Sequence, residues 1–206
     1  MESGRMDMGL HIGLGRKKPG EKSCPVRPAV TRRHGWPSGL GNPEETMMPA
    51  PHPNRLMLQR HLAAENAHDM AATLATVHPD CVFRDLATGQ VFPGRPGAER
   101  HYRQWWEAFG NVVERSPSGS AQWIDDDTYV AEPQYTGRHI GPFLGLAPTG
   151  RTFVLPFVVF VKFRDGLFVE ERFYYDLATL MRQLGETRID PQALQAARDW
   201  AAGKQS

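Results

Sequence analysis

Apolar and polar positions begin to alternate with a regular period only at Asn54. Leu56, Leu58, Leu62 and Ala63 recur at helical spacing, and Asp69 is placed to cap a second short helix through Met70, Leu74 and Val77 that must stop by His78, ahead of Pro79. Residues 81–86 alternate as a strand. Thr88-Gly89 starts a turn towards the loop Pro93-Gly94-Arg95-Pro96-Gly97, and a helix over 98–109 then stacks Tyr102, Trp105, Trp106 and Phe109 on one broad face. Three β segments follow over 112–124, broken at Pro117 and Gly119, then 128–140 and 152–163. Asp165-Gly166 joins the third to a strand over 167–175, because both central positions of a type I′ turn need positive φ. A helix over 177–184 stops at Gly185, and another begins after Asp190-Pro191.

The stretch 153–161 is apolar at every position, which a strand with one solvated face does not require. Both of its faces should be covered. The inner face would pack on the leading helices and a cavity, and the outer face on a second subunit, which implies a homodimer. A monomer would need residues 186–206 to cover that outer face.

Residues 1–53 carry eight of the seventeen prolines and eight of the twenty glycines, with Trp36 as their only aromatic. They read as a disordered extension that cannot bury enough surface to offset its ordering entropy. Met47 and Met48 lie just before the first periodic segment, so a start there would account for the whole extension. The domain proper is expected over 54–185, with a helical tail over 186–206.

The formal net charge is +1, which leaves no basic surplus for a phosphate backbone, so nucleic acid is not an expected partner. Cys24 and Cys81 have neither metal-ligand spacing nor the density of a disulfide scaffold. A reducing cytoplasm suits them. No apolar run is long enough for a membrane span, and no apolar segment with a cleavage site opens the chain, so a soluble, unexported protein without a membrane partner is expected. His52, His61 and His68 suggest no metal site, and nucleotide-binding loops and Ser-His-Asp or Cys-His motifs are not recognisable.

Three stretches resemble one family. Gly137-Arg138-His139-Ile140-Gly141-Pro142-Phe143 with Pro148-Thr149-Gly150-Arg151 is similar to the Gly-x-His-x-Gly and Pro-Thr-Gly signatures of SnoaL-like polyketide and ester cyclases of the nuclear transport factor 2-like superfamily. The Asp165-Gly166 hairpin with its exit strand to Glu171, and the ending Tyr174-Tyr175-Asp176-Leu177 through Gln183-Leu184-Gly185, resemble the same group over residues 54–185. The resemblance implies an α+β cone in which three N-terminal helices pack on a strongly curved antiparallel sheet, followed by a C-terminal helix. It also implies a carboxylate that moves a proton next to a carbonyl without metal or cofactor, on a small apolar ligand.

Asp176 matches that carboxylate by its place in the ending motif, and Phe173, Tyr174 and Tyr175 would supply an apolar setting that raises its pKa. An Asp immediately before Leu177 is equally what a helix N-cap requires. Strand parity places Glu171, Phe173 and Tyr175 on one face and Arg172, Tyr174 and Asp176 on the other, and only one set can face the cavity. If it is the odd set, Glu171 is the candidate acid. His139 would polarise a carbonyl or relay a proton, or hold its hairpin. Lys162 either snorkels to water or serves as an oxyanion donor. Tyr102 and Trp105, like Phe173 and Tyr175, would line a substrate pocket or simply fill the core. Limonene-type epoxide hydrolysis is disfavoured because Phe173 stands where those relatives carry an acid. The same cavity would also serve a non-catalytic binding module.

Overall fold

The computed structural model describes residues 53–204. The expectations for the N-terminal extension, including a start at Met47 or Met48, fall outside that range. Helix α1 (Pro53–Asn66) is followed by α2 (Met70–Ala75), where Asp69 Oδ1 accepts from the Ala72 backbone N–H at 2.9 Å. The second helix ends two residues sooner than its apolar spacing suggests. Val77 instead opens strand β1 (Val77–Asp85). Pro79 has no N–H to give, and the ladder of β1 shifts register between Val77 and Val82.

Strand β2 (Gln90–Pro93) leads directly into α3 (Gly94–Phe109), which begins four residues before the expected Ala98. Pro96 is tolerated there because the first-turn N–H groups have no intrahelical acceptor. The broken segment over 112–124 becomes β3 (Val112–Arg115) and β4 (Ala121–Asp125). The segment over 128–140 also divides, into β5 (Thr128–Ala131) and β6 (Pro133–Arg138), at the proline that opens β6. Strands β7 (Thr152–Arg164) and β8 (Leu167–Tyr175) are joined by Asp165 and Gly166 with φ of 55° and 72°, the left-handed pair a type I′ turn needs. Helices α4 (Leu177–Leu184) and α5 (Pro191–Ala201) complete the chain.

Strand β7 organises the sheet. It pairs antiparallel with β8 on one side, while on the other β5 takes Val159 to Lys162 and β6 takes Thr152 to Pro156. Beyond β8 comes β1, and this pairing is parallel, so the curved sheet is mixed and not wholly antiparallel as expected. The odd residues of β7, Phe153 to Phe163, are buried against α3 and its neighbours. Tyr102, Trp105 and Phe109 supply most of the α3 face, each aromatic contributing about 2–3 kcal/mol through burial.

The even residues of β7 behave differently. Val154 is 49% exposed, Pro156 and Lys162 are exposed, and Val158 and Phe160 are half-buried. The described residues 186–204 do not cover this face, contrary to the alternative expected for a monomer. Helix α5 packs on β2 and α3 instead, with Arg198 Nε donating to the Thr88 carbonyl at 2.7 Å and Arg100 to that of Ala201 at 3.1 Å.

Candidate functional site

Packing of α1 and α3 against the sheet decides the parity of β8. Glu171 and Phe173 point inward and are buried, whereas Arg172 and Tyr174 lie on the outer face. They help enclose a cavity of about 450 Å³ whose walls include Leu58, Tyr135, Phe157, Val159 and Phe168. The exposed Glu114, Arg115, Ser120 and Glu132 mark its mouth. A Cβ on Gly119 would fall 1.9 Å from the Glu132 carbonyl oxygen, so this stretch of the rim requires glycine. At the closed end the apolar lining gives way to His61, Glu65 and Glu171.

These three belong to one polar network. Helix α1 places His61 and Glu65 one turn apart on its inner face, His61 Nε2 lying 3.8 Å from Glu65 Oε2. The Tyr102 hydroxyl comes from α3 to within 3.0 Å of His61 Nε2 and 3.5 Å of Glu171 Oε2. On its other side His61 Nδ1 lies 2.6 Å from Thr76 Oγ1, and its ring stacks on Phe168 with centroids 4.0 Å apart.

Burial governs every ionisation here, since the charged form of each group loses its hydration. It pushes the Glu65 carboxyl up to about 8 and the His61 imidazole down to about 3. The Glu171 carboxyl is raised well above the usual range, by burial first and by the Glu65 charge second. Tyr102 is held well above 10, again by burial first and then by Glu171. The closed end is therefore a set of neutral groups, two of them carboxylic acids.

Asp176 is elsewhere. Its Oδ1 accepts the Thr179 backbone N–H at 2.9 Å and its other oxygen accepts from the Thr179 hydroxyl, so it caps α4 from the surface. Those hydrogen bonds hold its carboxyl below the ordinary value, the opposite of what an apolar setting would do. Its expected place at the cavity is thus corrected, because the strand ends at Tyr175 and Asp176 turns into the cap. His139 is also outside the cavity: its Nδ1 accepts the Thr149 N–H at 3.2 Å, and its backbone bonds Arg151 and Gly150, which ties the ends of the loop over 139–151 together. Lys162 faces outward, 3.7 Å from Glu170, with no path to the cavity.

Of the expected lining residues, Phe173 forms part of the wall and Tyr102 reaches the closed end through its hydroxyl. Trp105 lies in the core between Tyr135, Phe143 and Tyr175. Tyr175 donates to the buried Asp85 at 2.8 Å and anchors β8 to β1, away from the cavity. Glu65 is not among the residues expected at the site. Its signal was present, four residues beyond His61 on a helix, but the apolar stripe pointed to Leu56, which is 65% exposed. The buried positions of α1 are Asn54, Leu58, His61, Ala64 and Glu65, about half of them polar.

Residues 55–184 match the SnoaL-like polyketide cyclase family. Among solved structures the fold is similar to a candidate polyketide cyclase from Xanthomonas campestris pv. campestris, at 24% identity and a TM-score of 0.57, over 64% of this chain and 96% of that one. It is similar to TsrD from Streptomyces laurentii at 27% identity and a TM-score of 0.55, over 65% and 95% of the two chains. A protein of ketosteroid isomerase-like fold from Catenulispora acidiphila, solved in complex with trimethylamine, matches at 18% identity and a TM-score of 0.53, over 63% and 92%. No curated protein matches the chain. With 55–184 taking in all eight strands of the sheet, helices α2 to α4 and both cavity acids, the chain belongs to the SnoaL-like polyketide cyclase family.

Proposed function

We propose that this protein is a cyclase or isomerase that moves a proton on a small, largely apolar carbonyl compound by acid/base catalysis without a cofactor, with Glu65 and Glu171 as the catalytic pair. The observation that carries the reading is the placement of two buried carboxyls at the closed end of an apolar cavity. Glu65 titrates nearer neutrality and supplies the carboxylate that takes a proton from the carbon next to the carbonyl. Glu171 stays protonated and donates to the carbonyl oxygen, so the substrate becomes its enol while one proton passes in and one passes out. In a cyclase the enol carbon then attacks a second carbonyl of the same molecule. In an isomerase it is reprotonated at another carbon.

The test is deuterium incorporation next to the carbonyl of a small 1,3-dicarbonyl compound in heavy water, followed by NMR. Wild type should exceed the buffer rate, and its rate should rise with pH through about 8 as Glu65 ionises. Glu65→Gln and Glu171→Gln should each lose about 100-fold, while Asp176→Asn keeps the wild-type rate. Full exchange in Glu171→Gln would refute the assignment.

A binding role without turnover is the second reading, favoured by one observation: the Catenulispora acidiphila neighbour holds trimethylamine, and an ionised Glu65 would pair with such a cation. Saturable binding of amines with no deuterium exchange would support it. For either reading we propose a homodimer through the outer face of β7 and β8, supported by the apolar side chains Val154 and Tyr174 exposed there.

A further inference from the structure

Thr76, at the C-terminal end of α2, is buried and touches no cavity surface, yet it ends the chain of polar contacts that starts at Glu171. Its hydroxyl has one proton. The Thr73 carbonyl oxygen lies 2.5 Å from Thr76 Oγ1 and has no proton of its own, so the hydroxyl proton must point there. His61 Nδ1 is 2.6 Å from the same oxygen, and two lone pairs cannot face each other at that distance, so Nδ1 carries a proton and donates it. Neutral His61 then has a bare Nε2. The Tyr102 hydroxyl, 3.0 Å away, is the group that donates to it. With its proton so used, Tyr102 offers Glu171 Oε2 only lone pairs across 3.5 Å, and a proton between them can come only from Glu171.

We infer that Thr76 is a positioning residue: through His61 and Tyr102 it fixes the direction of every hydrogen bond in the chain, so that Glu171 meets an acceptor and keeps the proton it donates to substrate. The positioning role rests on the acid role proposed for Glu171, whereas the direction of the chain does not. Besides Tyr102, the titratable groups facing Glu171 are Glu65 and His61 from α1, Cys81 from β1 and Tyr135 from β6. None of these is a cation at neutral pH that would draw the proton off.

The experiment uses ligand-free protein. Nitrogen–proton NMR correlation of the His61 ring should report the Nδ1–H form in wild type and in Thr76→Ser. In Thr76→Val the Nδ1 proton has no acceptor, so the ring should change to Nε2–H, Tyr102 should turn its proton to Glu171, and the Glu171 carboxyl carbon should titrate about one to two pH units lower. Wild type with its proton on Nε2, or Thr76→Val with an unchanged tautomer and unchanged Glu171 titration, would overturn the inference. The wild-type tautomer decides the direction even where Thr76→Val does not fold. A Glu171→Gln protein that still exchanges deuterium would defeat the acid role and leave the tautomer result standing, so the two failures are distinguishable.

Discussion

The Tyr102 hydroxyl lies 3.0 Å from His61 Nε2, and this contact joins α3 to α1 at the closed end of the cavity. Both groups are buried, so neither can recover a lost partner from water. Tyr102→Phe leaves a bare imidazole nitrogen and removes the acceptor facing Glu171. The expected cost is about 1–2 kcal/mol of stability. Chemical denaturation at neutral pH measures it, and a cost near zero would mean that water enters to replace the hydroxyl.

Stability should depend on pH through two opposed sets of groups. Glu65 has its folded value raised to about 8 from 4.5, so its stabilising contribution is complete below pH 4.5 and lost as pH rises to about 8. His61 and His101 have folded values lowered to about 3 from 6.5, so their contribution is complete above pH 6.5 and lost as pH falls to about 3. The melting temperature is therefore expected to fall on the alkaline side between neutrality and pH 8, and on the acid side below pH 4.5. Glu65→Gln should raise it at pH 8 with little effect at pH 4.5. A variant that melts with the wild-type pH profile would show that Glu65 is not the group responsible.

Asp176 is expected to matter to α4 and not to chemistry. Its carboxylate holds the Thr179 N–H at 2.9 Å, and Asn caps a helix about as well as Asp. Asp176→Ala should lower the melting temperature while Asp176→Asn does not, and both should bind cavity ligands like wild type. Circular dichroism melts and ligand titration check the pair; weakened ligand binding in Asp176→Asn would return this residue to the site.

The outer face of β7 and β8 provides a test of assembly. Val154 and Tyr174, 49% and 40% exposed, contribute little to the fold of one chain, so a charge at either should leave that fold intact. Sedimentation should show a dimer for wild type at micromolar concentration and a monomer for Val154→Glu combined with Tyr174→Glu. A wild-type monomer would remove the dimer from the proposal.

Much of the architecture could be read from the chain because it depends on neighbours in sequence. Asp165-Gly166 specifies its hairpin through two positive φ values, and Asp69, Asp176 and Asp190 cap helices whose first turns follow them directly. Period-two alternation likewise sorted β8 into Glu171, Phe173 and Tyr175 against Arg172 and Tyr174. It could not say which set faces inward, since both alternate equally well and only packing against α1 and α3 separates them. The same limit hid Glu65 and His61, because a helix face that is half polar has no apolar stripe to mark it as internal. It also left the outer face of β7 looking like core when, among the described residues, Val154, Pro156 and Lys162 are exposed and Val158 and Phe160 only half-buried. Local chemistry determined the turns and helix caps; which carboxyls lost their water, and so became acids able to keep a proton near neutral pH, was decided only when distant segments closed over them.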